Sequence, residues 1–167
     1  MPLISIVVPC YNEQESLPIF LKELDDVVRI MTQQYPEISF EAVLIDDGSA
    51  DKTLAVMKAE AAAAHPYVIH WHSFSRNFGK EAALLAGLQH AKGNYVATMD
   101  ADMQDPPSLL PQMYEILQTE NYDNVATRRT TREGELPSGR SAPVCSTRSS
   151  TAFPRPTSST EHAILGS

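Results

Sequence analysis

A mostly parallel α/β sheet flanked by helices is the fold that this sequence predicts, and three observations predict it. Apolar runs of strand length alternate with segments of helical period over residues 1–129. The runs are apolar throughout instead of at every second residue, as strands buried on both faces must be. Each run is followed at once by polar, turn-forming residues. Strands of that kind joined by helices build a sheet covered on both faces by right-handed crossovers. With 167 residues and 43% hydrophobic content, the chain has enough apolar surface for a single core.

The elements follow in order. Leu3 to Pro9 is the first strand. Asn12 is positioned as the N-cap of a helix whose Leu17, Phe20, Leu21, Leu24, Val27, Val28 and Met31 lie on one stripe, with Pro18 tolerated in the first turn. Phe40 to Ile45 is the second strand, closed by Asp46-Asp47-Gly48-Ser49, and Leu54, Met57 and Ala61 mark the second helix. The Ala61 to Ala64 stretch suits helix by propensity. Tyr67 to Ser73 forms the third strand, with Trp71 expected in the core and His70 and His72 on one face without a third zinc ligand nearby. Gly79 to Ala91 is the third helix, turning Leu84, Leu85 and Leu88 inward, and Tyr95 to Met99 is the fourth strand. A short helix over Ser108 to Thr119 and a strand over Asn124 to Thr127 complete the pattern.

Composition changes near Thr130. Of the 38 residues from Thr130 to Ser167, fourteen are Ser or Thr, four are Pro and nine are apolar, without a period of 2 or 3.6. Such a segment buries too little surface to offset its ordering entropy, so the division expected is a domain over 1–129 and a disordered Ser/Thr/Pro-rich tail over 130–167.

Composition also limits function. Two cysteines, Cys10 and Cys145, lie far apart and form no disulfide framework, which points to a reducing, cytoplasmic setting. The first residues lack a basic leader and read as a strand, and no apolar run reaches the length of a membrane span, so any membrane contact is expected to be peripheral. A net charge of -8 disfavours nucleic acid. An anionic substrate would then need a cation beside it.

In a sheet of this kind ligands sit beyond the carboxyl ends of the strands. Those ends hold Pro9 to Glu13, Asp46 to Ser49, Ser75 to Lys80, Asp100 to Asp105, and Arg128. Six acids, Glu13, Asp46, Asp47, Asp100, Asp102 and Asp105, would crowd one rim and repel one another if unpaired. Ser49 and Asp105 read as helix caps. Asp100 and Asp102, two apart after the fourth strand, can turn to one side and share a hard divalent ion, Mg²⁺ or Mn²⁺, with Gln104 adding a neutral oxygen. An ion there would bridge the phosphates of a nucleoside diphosphate and stabilise the charge that grows as a sugar departs. Asp46 and Asp47 are placed to accept hydrogen bonds from a base or ribose, and Gly48 permits the tight turn behind them. Tyr11 either flanks a base or is a rim aromatic, and Glu13 reads as a first-turn helix acid. The first strand leads into no glycine-rich phosphate loop, which argues against a Rossmann pyrophosphate cradle and against a nucleotidyltransferase.

Taken together, Ile6-Val7-Val8-Pro9-Cys10-Tyr11-Asn12-Glu13, Ile45-Asp46-Asp47-Gly48-Ser49-Ala50-Asp51-Lys52-Thr53, Arg76-Asn77-Phe78-Gly79-Lys80 and Met99-Asp100-Ala101-Asp102-Met103-Gln104-Asp105-Pro106-Pro107 resemble the inverting GT-A-fold glycosyltransferases. Within them the chain looks like the polyprenyl-phosphate branch that includes dolichyl-phosphate mannose synthase and the bactoprenol glucosyltransferases, over residues 1–129. The resemblance implies a Rossmann-like nucleotide-binding half in which Pro9, Tyr11, Glu13 and Asp47 line the nucleotide pocket, with Lys80 either a donor-site cation or a solvated first-turn residue. It implies that Asp100, Asp102 and Gln104 hold the metal and diphosphate, and that Arg128 faces the acceptor phosphate, which a guanidinium binds bidentately. The implied reaction moves a sugar from a UDP- or GDP-linked donor to a polyprenyl phosphate or glycan at the cytoplasmic face of a membrane. Where that family carries its acceptor-side and membrane-docking segments, this chain has the Ser/Thr-rich tail. A donor-binding remnant that no longer transfers sugar is therefore the alternative expectation.

Overall fold

Eight consecutive residues, Leu3–Cys10, form β1, and side chains pointing to both sides of it are buried, which only a central strand achieves. In this computed structural model of the protein, residues 1–104, 106–120, 122–127, 144–147 and 163–166 are described. After β1 come α1 (Ser16–Gln34), β2 (Ser39–Asp46), α2 (Thr53–Ala61), β3 (Val68–Ser73), α3 (Lys80–His90) and β4 (Tyr95–Thr98). A single 3₁₀ turn (Pro107–Leu109) then leads into α4 (Leu110–Thr119), followed by β5 (Asn124–Thr127), β6 (Val144–Thr147) and β7 (Ala163–Gly166).

The sheet order is β3-β2-β1-β4-β7-β5-β6. All neighbours run parallel except β5 and β6. β1 and β2 pair in full register from Leu3↔Ser39 to Cys10↔Asp46. The chain steps outward from β1 to β3 and then returns past β1 to β4. The carboxyl ends of β1 and β4 therefore flank the point where the winding reverses, where such sheets bind ligands.

One face of the sheet offers Ile4, Ile6, Val8, Ala42 and Leu44 to α1, whose Leu17, Phe20, Leu21, Leu24, Val27, Val28 and Met31 are all buried, the stripe expected from the sequence. At about 1.5–3 kcal/mol for each large side chain removed from water, this seam dominates the stability of the domain. Tyr35 ends α1, its amide donating to the Met31 carbonyl, and Pro36 forbids a further turn. On the other face, Val7, Val43, Ile45 and Val96 meet α3 through Ala83 and the half-buried Leu84, Ala86 and Leu88. Gly87 makes that approach close, since a β-carbon there would stand 2.2 Å from Val7 Cγ1.

Away from the strand ends that face the ligand side, a buried carboxylate ties three segments together. Glu41 Oε1 accepts from the Ser5 hydroxyl (2.5 Å) and the Lys92 amide (2.7 Å), and the Gly93 amide donates to Ser5 Oγ (2.8 Å).

Several sequence expectations are corrected. Asn12 does not cap α1: the helix starts at Ser16 with Glu15 before it and no side-chain cap, and Asn12 adopts a left-handed φ of 58°. Leu85 points outward at 58% exposure, because only the Ala83–Gly87 side of α3 is pressed on the sheet. Trp71 is 38% exposed, since β3 is an edge strand flanked by a nine-residue helix. Its ring instead carries Lys58 Nζ at 5.0 Å. α2 stops at Ala61, the following alanines having no apolar partner to hold them in the helix. His70 and His72, by contrast, follow the expectation of satisfied histidines on one face: His72 stacks on His90 at 3.8 Å, and His70 Nε2 lies 3.6 Å from Glu41. Within 130–167 the described residues are two four-residue strands, β6 and β7. The other residues of 130–167 lie outside the described residues.

Candidate donor site

A cleft of about 220 Å³ opens at the carboxyl ends of the strands, lined by Pro9, Tyr11, Glu13, Asp47, Lys80, Ala83, Asp100, Ala101 and Asp102. Six of the eight side chains expected from sequence thus converge: Pro9, Tyr11, Glu13, Asp47, Asp100 and Asp102. Ala83 and Ala101, which the sequence did not single out, provide room at the floor, one from the first turns of α3 and one from between the two aspartates. Their signal was small size beside charged neighbours, a weak one in a chain this rich in alanine. Arg128 lies outside the described residues.

Asp100 and Asp102 stand beyond β4, which ends at Thr98, so a turn with Met103 at φ 63° presents them instead of strand alternation. The Gln104 amide donates to Asp102 Oδ1 at 3.0 Å, which holds it in the same turn as the two aspartates.

Lys80, the first residue of α3, reaches across so that Nζ lies 2.6 Å from Asp100 Oδ2. It is placed there by a fixed loop. Both oxygens of the buried Asp47 accept backbone amides, from Phe78 at 2.7 Å and Gly79 at 2.9 Å. Gly48, at φ +67°, lets the same loop lie against the β2 end: a β-carbon there would meet the Arg76 carbonyl carbon at 2.3 Å. Asp46 turns away from the cleft, contrary to its expected role beside Asp47. It is buried and accepts from the Ser49 amide (3.0 Å) and the Ser73 hydroxyl (2.7 Å).

The first and second loops are laced together. The amides of Asn12, Glu13 and Gln14 donate to Ser49 Oγ (3.0 Å), Thr53 Oγ1 (2.7 Å) and Asp51 Oδ2 (3.2 Å). In return the amides of Ala50 and Lys52 donate to Asn12 Oδ1 (2.9 Å) and Gln14 Oε1 (3.1 Å). Ser49 therefore binds the neighbouring loop instead of capping α2, whose first amide, at Thr53, donates to Asp51 Oδ1 at 2.9 Å. Burial pulls the Asp51 carboxyl up, and its bonds from the Thr53 hydroxyl and the Thr53 and Gln14 amides more than offset that, so it titrates below 3.8.

Cys10 ends β1 and is buried. Burial, helped by the charges of Glu13, Asp46 and Asp100, pushes its thiol well above the ordinary range, so it stays protonated and is no nucleophile. Four carboxylates against one lysine leave the cleft anionic. Among the described residues no group of three His, Cys, Asp or Glu is arranged to cage a metal. The donor set nevertheless suits a Mg²⁺-like ion, which takes one or two carboxylates and completes its shell with phosphate oxygens and water.

Comparison with known proteins gives the family and a likeness of fold. The family model for glycosyl transferase family 2 matches residues 5–161. Over 133 residues the chain is 37% identical to the undecaprenyl-phosphate 4-deoxy-4-formamido-L-arabinose transferase of Yersinia enterocolitica, covering 80% of this chain and 38% of that protein. It is 39% identical over 133 residues to the protein of the same name from Klebsiella pneumoniae, with the same coverage. The crystal structure of S. aureus TarS 1-349 superposes with a TM-score of 0.60 at 22% identity, covering 82% of this chain and 38% of that one, a likeness of fold. The chain spans about two fifths of the length of these relatives.

Proposed function

Because this chain belongs to glycosyl transferase family 2, we propose that it forms the donor-binding part of a transferase that moves a sugar from a UDP- or GDP-linked donor to a polyprenyl phosphate or glycan acceptor, with inversion. The observation that carries the proposal is the convergence of Asp100, Asp102, Glu13, Asp47, Tyr11 and Lys80 on one cleft at the winding reversal between β1 and β4. The relatives whose names specify undecaprenyl phosphate support the lipid acceptor over the glycan.

In this reading Asp100 and Asp102 would hold Mg²⁺ or Mn²⁺ together with the donor diphosphate, and a bound ion would supply positive charge where the leaving diphosphate becomes more negative. Tyr11 and Pro9 form the wall beside the nucleoside. Each Asp47 oxygen keeps a lone pair beyond the amide it already accepts, enough to receive a base or ribose N–H or O–H. Lys80 exchanges Asp100 for a phosphate oxygen once the diphosphate enters, so the anionic rim gains a cation facing the donor. With Cys10 held neutral, the direct displacement that inversion requires has no competing thiolate at the cleft. A polyprenyl phosphate is already ionised at neutral pH and needs no general base, and Arg128 is proposed to face it.

Calorimetric titration of the chain with UDP and with GDP, with and without Mn²⁺, tests the binding step. Binding that requires Mn²⁺ is expected for one of the two. Heat from neither, in the presence of the metal, would refute the donor site. Sugar transfer to undecaprenyl phosphate tests the whole reaction.

A further inference from the structure

We propose that Asn12 and Gln14 are positioning residues of the donor site, acting through a reciprocal clasp that sets how far Tyr11 and Glu13 stand from Asp47. The inference rests on the donor-site reading above and adds a role for residues that do not line the cleft.

The clasp is unusual in its exchange of partners. Three successive amides of the β1–α1 loop, at Asn12, Glu13 and Gln14, are taken by side chains of the β2–α2 loop and of Thr53 at the start of α2. Two amides of that second loop, at Ala50 and Lys52, are taken by the side chains of Asn12 and Gln14. Five backbone donors are thus satisfied across a gap between loops, and none of the five belongs to a helix or strand ladder. The conformation of the first loop depends on it: Asn12 sits at φ 58°, a region that asparagine tolerates better than most residues.

Position gives the clasp its function. Tyr11 and Glu13, immediately on either side of Asn12, line the cleft, while Asn12 itself turns the opposite way to the second loop. Asp47 lines the cleft from the start of the second loop, two residues before Ser49. Releasing the clasp therefore leaves every cleft-lining side chain present but lets the two walls separate. The expected cost falls on donor binding, because a ligand would have to order both loops on arrival. Thr53 anchors the arrangement: it is fully buried, its hydroxyl donating to Asp51 Oδ1 (2.5 Å) and accepting the Glu13 amide.

The test uses three variants of the full chain. Asn12→Gly keeps the left-handed backbone and deletes the acceptor; Gln14→Ala deletes the other; Asn12→Asp keeps an acceptor oxygen. Titration with Mn²⁺ and whichever of UDP and GDP the parent chain binds is read beside hydrogen exchange at the Ala50 and Lys52 amides. Asn12→Gly and Gln14→Ala should each weaken binding about fivefold, the measure of one hydrogen bond, and speed exchange at Ala50 and Lys52 respectively. Asn12→Asp should restore at least half of the lost affinity. Faster exchange with unchanged nucleotide affinity in both variants would overturn the proposal alone, showing a clasp that serves only the fold. Failure of the parent chain to bind either nucleotide would overturn the donor-site reading, and this proposal with it.

Discussion

Lys80 Nζ and Asp100 Oδ2, 2.6 Å apart, join the first turn of α3 to the turn after β4 across the mouth of the cleft. The lysine side chain is 56% exposed, so the pair is well solvated and adds at most about 1 kcal/mol to stability. In the proposed donor site it holds a cation beside the place where a diphosphate would lie. Replacing Lys80 by Met should leave the urea midpoint nearly unchanged while weakening nucleoside diphosphate binding about tenfold, as measured by calorimetry, roughly the cost of one charged hydrogen bond.

Asp102 is the more exposed of the two aspartates, and its Oδ1 accepts the Gln104 amide within the same turn. Asp102→Ala should abolish the Mn²⁺-dependent part of diphosphate binding with helical content intact by circular dichroism. Unchanged affinity in the presence of Mn²⁺ would place the ion elsewhere.

Gly48 answers for the shape of the loop that brings Lys80 in. An added methyl group would collide with backbone at Arg76 and Asn77 and would strain a φ of +67°. Gly48→Ala is expected to destabilise the chain by about 2–4 kcal/mol, on the scale of an overpacking clash combined with left-handed strain, seen as a lowered urea midpoint at constant slope.

Glu41 supplies a control at a distance from the cleft. Glu41→Ala leaves the Lys92 amide and the Ser5 hydroxyl without their buried acceptor, costing about 2–4 kcal/mol. Nucleotide affinity of the folded fraction should not change.

Asp51 predicts the acid limit of the clasp. Its folded carboxyl titrates below the ordinary 3.8, so the stability it contributes is complete above that value and is lost as pH falls through the lower folded pKa. Urea midpoints measured from pH 6 down to pH 3 should fall less steeply for Asp51→Asn than for the parent chain. Parallel curves would remove Asp51 from the clasp energetics.

The sequence made the covered sheet legible because buried strands and a one-sided helix write their periods directly: all seven stripe residues of α1 are buried. The cleft was legible through the residues that follow each strand. What the sequence concealed was tertiary choice. Asn12 and Ser49 look like helix caps, since the same side chains that satisfy a helix's first amides also satisfy those of a neighbouring loop. Asp46 and Asp47 look alike in a row, yet the end of a strand turns one toward Ser73 and the other toward Phe78. Trp71 carries a core residue's apolarity on an edge strand, and edge and centre are properties of strand order that no single strand encodes.

The bare α-carbon of Gly87 fixes the height at which α3 rides over Val7. Lys80 is seven residues away at the other end of the same helix, about 10 Å along a stiff rod. A larger residue at Gly87 would act as a fulcrum, tilting the rod and swinging the ammonium group out of reach of Asp100. The setting of the helix that carries Lys80 thus depends on a residue outside those that line the opening.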